Sequence, residues 1–265
     1  MYKFGILGVG KMGSSILNGI LEAKIFDKKD ILLNLYSPEE IEYYGKKLGF
    51  NYVTSPNELF NNVELLLLSI KPQVFPEIEG IAKANDFKNK GVISICAGIT
   101  LDYLESLFKN AEIVRIMPNT PALIKMAVAT ICSKNTNSKC FKIAFEIFNS
   151  IGKCYEIDEK YMDATIPLNG SMPAYLELFA KAFIDKAIKD GIDPEVSKKL
   201  VCESIISSAN LILKSDESIE QLIKNVCSKG GTTLAGLDKL YEYKFEEAIY
   251  ECSEACKNRS MELKR

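Results

Sequence analysis

Histidine and tryptophan are both absent from this chain of 265 residues, and the lack of histidine has the larger consequence. Without an imidazole group, Ser-His-Asp and Cys-His catalysis, histidine-ligated metal sites and an imidazole general acid are all excluded. Any chemistry must therefore come from hydroxyl groups, carboxylates, lysines, backbone amides or a bound cofactor.

An excess of positive charge is also missing, since 33 Lys and Arg stand against 35 Asp and Glu. Nucleic-acid binding requires a surplus of cations on one face, so no nucleic-acid partner is expected. The longest aliphatic run, Leu65–Leu68, is far shorter than the ~20 residues of a membrane span. The N-terminal apolar stretch is interrupted by Lys11 and by glycines, unlike a secretory signal. We therefore expect neither a membrane-bound nor a secreted protein.

Disulfide and metal frameworks are not indicated by the eight cysteines, which form no CxxC pair. Cys252 and Cys256 have the spacing of one helix face, but helix packing is favoured there over metal ligation. We expect no metal site, and reduced thiols in a cytoplasmic protein.

The first half of the chain alternates short apolar runs with helical stretches, which is typical of a parallel sheet covered by helices on both faces. Several runs are nearly continuous in Val, Ile and Leu, as in strands buried on both faces. Helical spacing of apolar residues predicts helices at Lys11–Ala23 and Cys140–Ile151. The predicted strands are Lys3–Leu7, Ile31–Leu35, Glu64–Ser69, Gly91–Ile95, Ile113–Met117, Val128–Cys132 and Lys153–Ile157.

The second half of the chain lacks strand signals after about Asp158. The sequence therefore predicts an α/β domain of about 160 residues followed by a helical domain of about 100. Apolar residues on more than one face of the first long helix indicate either burial by a second subunit or a central position in its own domain. The predicted helices are Pro173–Asp190, Pro194–Lys214 and Leu234–Arg265.

A glycine-rich turn, Gly8-Val9-Gly10-Lys11-Met12-Gly13, follows the first strand and opens the first helix. This context gives the G-x-G-x-x-G pattern its meaning as a dinucleotide site. Gly8 would permit the tight turn, Gly10 would let a pyrophosphate approach the backbone, and Gly13 would bring helix and strand together. A purely structural turn is the alternative.

The end of the second strand normally carries an acidic residue in NAD-binding proteins, where it binds the ribose 2′-hydroxyl. Here the sequence reads Leu35-Tyr36-Ser37-Pro38. No carboxylate is expected here to repel a 2′-phosphate, and the Ser37 hydroxyl can donate a hydrogen bond to that phosphate. NADP is therefore favoured, with NAD as the alternative cofactor. Lys46 and Lys47 could add positive charge, but solvated positions on a helix are favoured for them.

Three further segments follow predicted strands and so belong at the edge where the ligand crevice of a doubly wound sheet lies. They are Ser69–Gln73, Cys96–Thr100 and Pro118–Pro121, in which two prolines could fix Asn119 beside a nicotinamide. Each of them could equally be a simple turn that ends a strand.

Two segments of the helical half also stand out. Asn169–Tyr175 starts the first long helix, and Asn225–Thr233 precedes the last one. The second offers successive backbone donors, hydroxyl groups and a helix N-terminus, which suits a small carboxylate. A helix cap with a glycine turn is the simpler interpretation.

Taken together, these motifs resemble those of the Δ1-pyrroline-5-carboxylate reductase family almost from end to end. The resemblance implies an α/β fold with an N-terminal Rossmann-type doubly wound sheet over residues 1–160, then an all-helical dimerisation domain over 161–265. It also implies a homodimer that can assemble into a larger ring. The segments that carry it are Gly8–Gly13, Ser69–Gln73, Cys96–Thr100, Arg115–Pro121, Asp163-Ala164, Gly170–Tyr175 and Gly230–Leu237.

The resemblance further implies NAD(P)H-dependent reduction of pyrroline-5-carboxylate to L-proline, with roles at matching positions. Thr233 would hydrogen-bond the ring nitrogen of the substrate as the catalytic residue. Substrate contacts would come from Glu159, Ser228, Gly230, Gly231, Thr232 and Thr233. Cofactor contacts, including those proposed above from the strand ends, would come from Leu7, Gly8, Val9, Gly10, Lys11, Met12, Gly13, Ser37, Asn57, Ser69, Ile70, Lys71, Pro72, Cys96, Ala97, Gly98, Asn119 and Asn225.

Two departures from the family pattern lie beside the expected substrate site. Family members usually have Gly where Met172 stands and Pro where Lys229 stands, which leaves a reductase for a six-membered cyclic imine open. A β-hydroxyacid dehydrogenase is disfavoured, because no lysine in the first two long helices has an asparagine four residues later. A catalytically silent NADPH-binding protein is disfavoured by the retained Gly230–Thr233 segment.

Overall fold

The computed structural model describes residues 1–264 and contains one sheet of eight strands, in the order β3-β2-β1-β4-β5-β6-β7-β8. All neighbouring strands are parallel except the pair β6 and β7, which is antiparallel. The strands are β1 (Tyr2–Leu7), β2 (Ile31–Asn34), β3 (Asn51–Val53), β4 (Val63–Leu68), β5 (Gly91–Ser94), β6 (Glu112–Met117), β7 (Ala127–Cys132) and β8 (Gly152–Glu156).

The first six strands in this order, 3-2-1-4-5-6, have the arrangement of a dinucleotide-binding Rossmann domain. The predicted N-terminal doubly wound α/β fold is therefore confirmed, with two differences. β3 was not predicted, because it is only three residues long and mostly exposed. The strand at Val128–Cys132 was expected in a parallel sheet, yet residues 118–126 are too short a connection for a parallel crossover, so β7 turns back along β6.

Twelve α-helices connect and follow these strands within residues 1–264. A π-helix, Ile41–Lys47, continues α2, and a 3₁₀ turn, Thr120–Ile124, lies between β6 and β7. The helices are α1 (Lys11–Glu22), α2 (Pro38–Glu40), α3 (Pro56–Asn62), α4 (Phe75–Ala84), α5 (Leu101–Leu107), α6 (Lys139–Ser150), α7 (Met162–Thr165), α8 (Met172–Lys189), α9 (Pro194–Lys214), α10 (Ile219–Val226), α11 (Thr232–Glu242) and α12 (Phe245–Glu262).

Local sequence explains where several helices begin. Ser138 caps α6 by accepting a hydrogen bond from the Phe141 amide (3.1 Å). Asp193 caps α9 in the same way, and Pro194 suits the first turn because it has no amide proton to satisfy. The single helix predicted at Leu234–Arg265 is wrong, since Lys244 (φ 54°) interrupts it between α11 and α12. Its last residue, Arg265, lies outside the described residues.

Two apolar cores lie against the sheet. One contains α1 and α6 residues such as Ile16, Ile20 and Phe148, and the other contains α3 and α5 residues such as Phe60 and Leu104. Each large side chain buried in this way stabilises the fold by roughly 1.5–3 kcal/mol relative to an exposed one. The sheet is thus a rigid base for the loops at its carboxyl edge.

The chain divides into two compact units: Met1–Pro173 together with the segment from Cys256, and Ala174–Ala255. The division falls after the predicted boundary at residue 160, because the residues that follow β8 remain tied to the sheet. Asn169 Nδ2, for example, donates to the Met117 carbonyl of β6 (2.8 Å). In residues 1–264, the helices are all too short or too polar to cross a membrane.

The helical unit, residues 174–255, has almost no core of its own. Ser197 is its only buried residue, while Leu178 and Leu213 are 69% and 83% exposed. The interpretation of the first long helix as a central helix of its own domain is therefore wrong, since α8 buries no residue. A unit that exposes so many apolar side chains and has no core of its own must bury them against another protein surface to be stable.

Candidate functional site

The glycine turn between β1 and α1 has the geometry that a bound pyrophosphate requires. Gly8 has φ +92°, and a Cβ there would lie 2.6 Å from the Ser69 carbonyl oxygen. A Cβ on Gly13 would lie 2.3 Å from the Gly8 carbonyl oxygen, whereas a Cβ on Gly10 would meet no atom within 4 Å. Gly8 and Gly13 thus bring backbones together, and Gly10 faces open space.

The N-terminus of α1 is free to bind an anion. Gly10 is its N-cap and has no side chain to accept from the first amides, and the first turn contains no acidic residue. Backbone amides and the positive end of the helix therefore point into the space in front of Gly10. These features fit the phosphates of a dinucleotide.

Two more of the predicted segments converge on this turn. Ser69 follows β4, and its amide donates to the Leu7 carbonyl (2.9 Å). Cys96 follows β5, and its thiol lies 3.2 Å from the Ile70 carbonyl oxygen. Burial raises the pKa of the Cys96 thiol to about 11, so this group packs the two loops together rather than reacting.

A cavity of about 340 Å³ opens beside the glycine turn. Its walls are largely apolar, as expected for a pocket that accepts a flat base. Asn34, at the end of β2, is 2% exposed and its Oδ1 has no hydrogen-bond partner within residues 1–264. The lining residues are Leu7, Gly8, Asn34, Tyr36, Pro56, Ile70, Val74, Glu77, Ile78 and Ile81.

A carboxylate lies at the end of β2, where none was expected. Glu40 Oε2 accepts from the backbone amides of Tyr36 (2.8 Å) and Ser37 (3.3 Å), while Ser37 Oγ accepts from the Glu40 amide (3.1 Å). The premise that this place holds no carboxylate is therefore wrong. The missed signal is the capping-box pattern Ser37-Pro38-Glu39-Glu40, in which the third helical residue reaches back to the cap.

Asn57 lies in the first turn of α3, next to Pro56 of the cavity wall. Its Oδ1 accepts from Asn85 Nδ2 (2.9 Å) and lies 3.4 Å from Asn61 Nδ2. The side chain is thus part of an exposed asparagine cluster, and its predicted cofactor contact stays a prediction.

Asn119 is buried and holds the β6–β7 connection. Its Oδ1 accepts from the Val128 amide (2.8 Å), and its Nδ2 donates to the Asn169 carbonyl (3.1 Å). The two prolines predicted a stiff turn, but the partner fifty residues away was not predicted. A contact between Asn119 and a nicotinamide would have to use its second Nδ2 proton or the second lone pair of its Oδ1.

Glu159, predicted near the substrate ring, belongs to a charged network. Its Oε1 accepts from the Leu101 amide (2.7 Å) and from Arg115 Nη1 (3.1 Å). Arg115 is 3% exposed and also lies 3.7 Å from Asp163 Oδ1. Asp163 in turn accepts from Ser260 Oγ (2.8 Å), which ties the C-terminal segment to this network.

The predicted carboxylate-binding turn lies in the helical unit, between α10 and α11. The Gly231 amide donates to the Ser228 carbonyl (2.9 Å), and Gly231 caps α11 with no side chain, which leaves amides available. Thr232 and Thr233 form the first turn of α11, so their hydroxyl groups stand at the same helix end. Asn225, at the end of α10, accepts a hydrogen bond from Gln221 Nε2 and donates one to Glu217 Oε2.

The fold and the glycine turn define this chain as a Rossmann-type dinucleotide-binding protein with an added helical unit. The family model described as "NADP oxidoreductase coenzyme F420-dependent" matches residues 3–98. A second, "Pyrroline-5-carboxylate reductase dimerisation", matches residues 159–263.

Full-length relatives narrow this class to one family. "Pyrroline-5-carboxylate reductase 2" of Bacillus subtilis is 31% identical, over 100% of this chain and 96% of that protein. The pyrroline-5-carboxylate reductase of Synechocystis is 32% identical, over 98% of both chains. The crystal structure of Plasmodium falciparum pyrroline carboxylate reductase with NADP bound superposes with a TM-score of 0.88 at 34% identity, covering 100% of this chain and 98% of that one. The chain belongs to the pyrroline-5-carboxylate reductase family, as the motifs predicted.

Proposed function

We propose that this protein reduces Δ1-pyrroline-5-carboxylate to L-proline, with NADPH or NADH as the hydride donor. The observation that carries the proposal is the open, uncapped N-terminus of α1 behind Gly10, in a chain of this family. The nicotinamide cofactor, when bound, supplies the hydride that the side chains cannot. The chain's own residues then bind, orient and neutralise charge.

Binding is divided between the two ends of the chain. Amides of the glycine turn and α1 hold the pyrophosphate, and the loops that begin at Ser69 and Cys96 contact the rest of the cofactor. Amides at the start of α11, beside Ser228 and Gly231, hold the substrate carboxylate. Lys229 adds a cation next to these amides, and this cation suits the carboxylate of a five-membered or a six-membered cyclic imine acid.

Thr233 orients the imine nitrogen. A cyclic imine is basic enough to arrive protonated or to take a proton from water, so no imidazole is required. The Thr233 hydroxyl fixes the nitrogen, and such a hydrogen bond to a charged group contributes about 1.5–3 kcal/mol.

Kinetics of purified variants test this assignment. Thr233→Ala should lower kcat/KM for pyrroline-5-carboxylate by about 10- to 100-fold, while Thr233→Ser restores most of it. Ser207→Ala, which removes an exposed hydroxyl group of α9 outside this turn, is the control and should change kcat/KM much less. Full activity of folded Thr233→Ala would exclude the role.

Substrate ring size is tested in the same assay. We expect NADPH and NADH oxidation with pyrroline-5-carboxylate to exceed that with the six-membered cyclic imine acid. A preference for the six-membered ring would show that Met172 and Lys229 have changed the substrate. NADPH binding without oxidation by either imine would indicate a silent binding protein.

A homodimer formed through the helical unit is also part of the proposal. It is supported by the dimerisation model that covers residues 159–263 and by the exposed apolar side chains of residues 174–255. Light scattering should give at least twice the chain mass of 29.6 kDa, and a larger value would indicate a ring of dimers. A monomer would refute this part. The cytoplasm is the proposed location, supported by the eight unpaired cysteines.

A further inference from the structure

The carboxylate of Glu40 occupies the place where a dinucleotide presents its adenosine ribose. In a sheet of this strand order, the ribose hydroxyl groups lie at the carboxyl end of β2, one strand away from the glycine turn. Glu40 Oε2 accepts hydrogen bonds from the two backbone amides there, those of Tyr36 and Ser37. The acidic residue absent from Leu35–Pro38 is therefore supplied from three residues beyond Ser37.

The neighbouring cavity independently indicates a ligand at this place. Tyr36 and Asn34 both line it, and Asn34 Oδ1 is a buried acceptor without a partner among residues 1–264. A buried acceptor of this kind costs stability unless a bound molecule donates to it. The adenosine end of a dinucleotide carries amino and hydroxyl donors, so it fits both the acceptor and the carboxylate.

The local charge is negative. Hydrogen bonds from its own backbone amide and from the Ser37 hydroxyl lower the pKa of Glu39, so a second carboxylate is charged beside Ser37. The two lysines in the adjoining π-helix are engaged elsewhere: Lys46 pairs with Glu42 (2.9 Å), and Lys47 Nζ lies 5.7 Å from the Tyr43 ring centroid. A 2′-phosphate would meet carboxylates here, and neither of these two lysines is directed at it.

We propose that Glu40 is the cofactor-selectivity residue of this chain: its carboxylate occupies the amides that a 2′-phosphate would use and thereby favours NADH over NADPH. A ribose 2′-hydroxyl can donate to Glu40 without displacing it. A 2′-phosphate must displace Glu40 from the Tyr36 and Ser37 amides or remain next to it, and both are unfavourable for like charges. The inference rests on the proposed function, since it requires that the site binds a nicotinamide dinucleotide.

Binding titrations separate the two claims, because NADH and NADPH differ only in the 2′-phosphate and no turnover is needed. Kd for each cofactor is measured by fluorescence with the full-length protein, Glu40→Gln and Glu39→Gln. Glutamine can keep the capping-box bonds while it removes the charge, so Glu40→Gln should fold. Urea unfolding of each variant checks this directly.

We expect Glu40→Gln to lower the ratio of Kd for NADPH to Kd for NADH by about tenfold or more. Glu39→Gln removes the same charge one residue away, from a carboxylate that does not hold the two amides, and should change the ratio much less. An unchanged ratio in folded Glu40→Gln, or equal changes in both variants, would overturn the role of Glu40. Binding of neither cofactor by the wild-type chain would instead overturn the proposed function, and this inference with it.

Discussion

Two glycines of the same turn should respond in opposite ways to the addition of one methyl group. Gly13→Ala places a Cβ 2.3 Å from the Gly8 carbonyl oxygen, which belongs to backbone and cannot rotate away. Overpacking costs ~1–3 kcal/mol, and we take the upper end because the contact is so short. Alanine's better helix propensity returns about 1 kcal/mol. The expected net loss in the free energy of unfolding is therefore about 2 kcal/mol.

Gly10→Ala is the matched variant, with the opposite outcome. Gly10 has φ −73°, which alanine adopts readily, and its Cβ would meet no protein atom within 4 Å. The free energy of unfolding should stay within about 1 kcal/mol of the wild-type value. The methyl group would, however, occupy the space that a pyrophosphate needs, so Kd for NADPH and for NADH should rise at least about tenfold.

Urea unfolding and cofactor titration of the two variants form the assay. Since the expected effects are separated, one on stability and one on binding, neither can be explained by general damage to the protein. If Gly10→Ala bound both cofactors like the wild type, the space in front of Gly10 would not be the pyrophosphate site. If Gly13→Ala were as stable as the wild type, the close packing of α1 on β1 would be refuted.

Three further changes test the rest of the first unit. Arg115→Met leaves Glu159 and Asp163 without their buried cation and should lower the free energy of unfolding by about 3–5 kcal/mol in urea titrations. A loss below about 1 kcal/mol would contradict the stabilising role of the ion pairs between Arg115 and these two carboxylates. Gly98→Ala should cost about 1–2 kcal/mol in the same measurement, because Gly98 has φ +76°, and more if Leu263, whose carbonyl oxygen lies 2.9 Å from the added Cβ, cannot move. Burial raises the pKa of the Cys96 thiol from 9.0 to about 11, so on raising the pH the thiolate forms first in the unfolded chain. The contribution of the buried, protonated Cys96 thiol to the free energy of unfolding should therefore be intact below pH 9 and decline up to pH 11. An equal decline in Cys96→Ala would exclude this thiol as the cause.

The sheet was largely predictable because its strands are apolar runs whose pattern does not depend on distant residues. The seven predicted strands all exist, and the glycine turn joins β1 to α1 as its spacing indicated. β3 was missed because a short exposed edge strand has no apolar pattern. The reversal of β7 depends on the length of the connection after β6, which was read only as a turn.

The candidate site was predictable where one local segment suffices and not where a side chain acts at a distance. The capping box of Ser37 and Glu40 is a local pattern that could have been recognised, and it changes the charge expected at the end of β2. The ligand contacts of Asn119 and Glu159 stay predictions, but their hydrogen bonds to Asn169, Leu101 and Arg115, which are remote in sequence, were not predicted. No local rule predicts such partners.

The attachment of the C-terminal segment also orders events during synthesis. Ser260 and Lys264 both form hydrogen bonds with Asp163, and Leu263 lies against Gly98, so the unit that begins at Met1 includes residues made about a hundred positions after its last strand, β8. During synthesis on the ribosome, Asp163 and the Cys96–Gly98 loop of the emerging sheet therefore stay uncovered until residues 256–264 have been translated. A nascent chain that stops short of residue 256 would therefore present the glycine turn together with these uncovered groups, as a surface that longer chains bury.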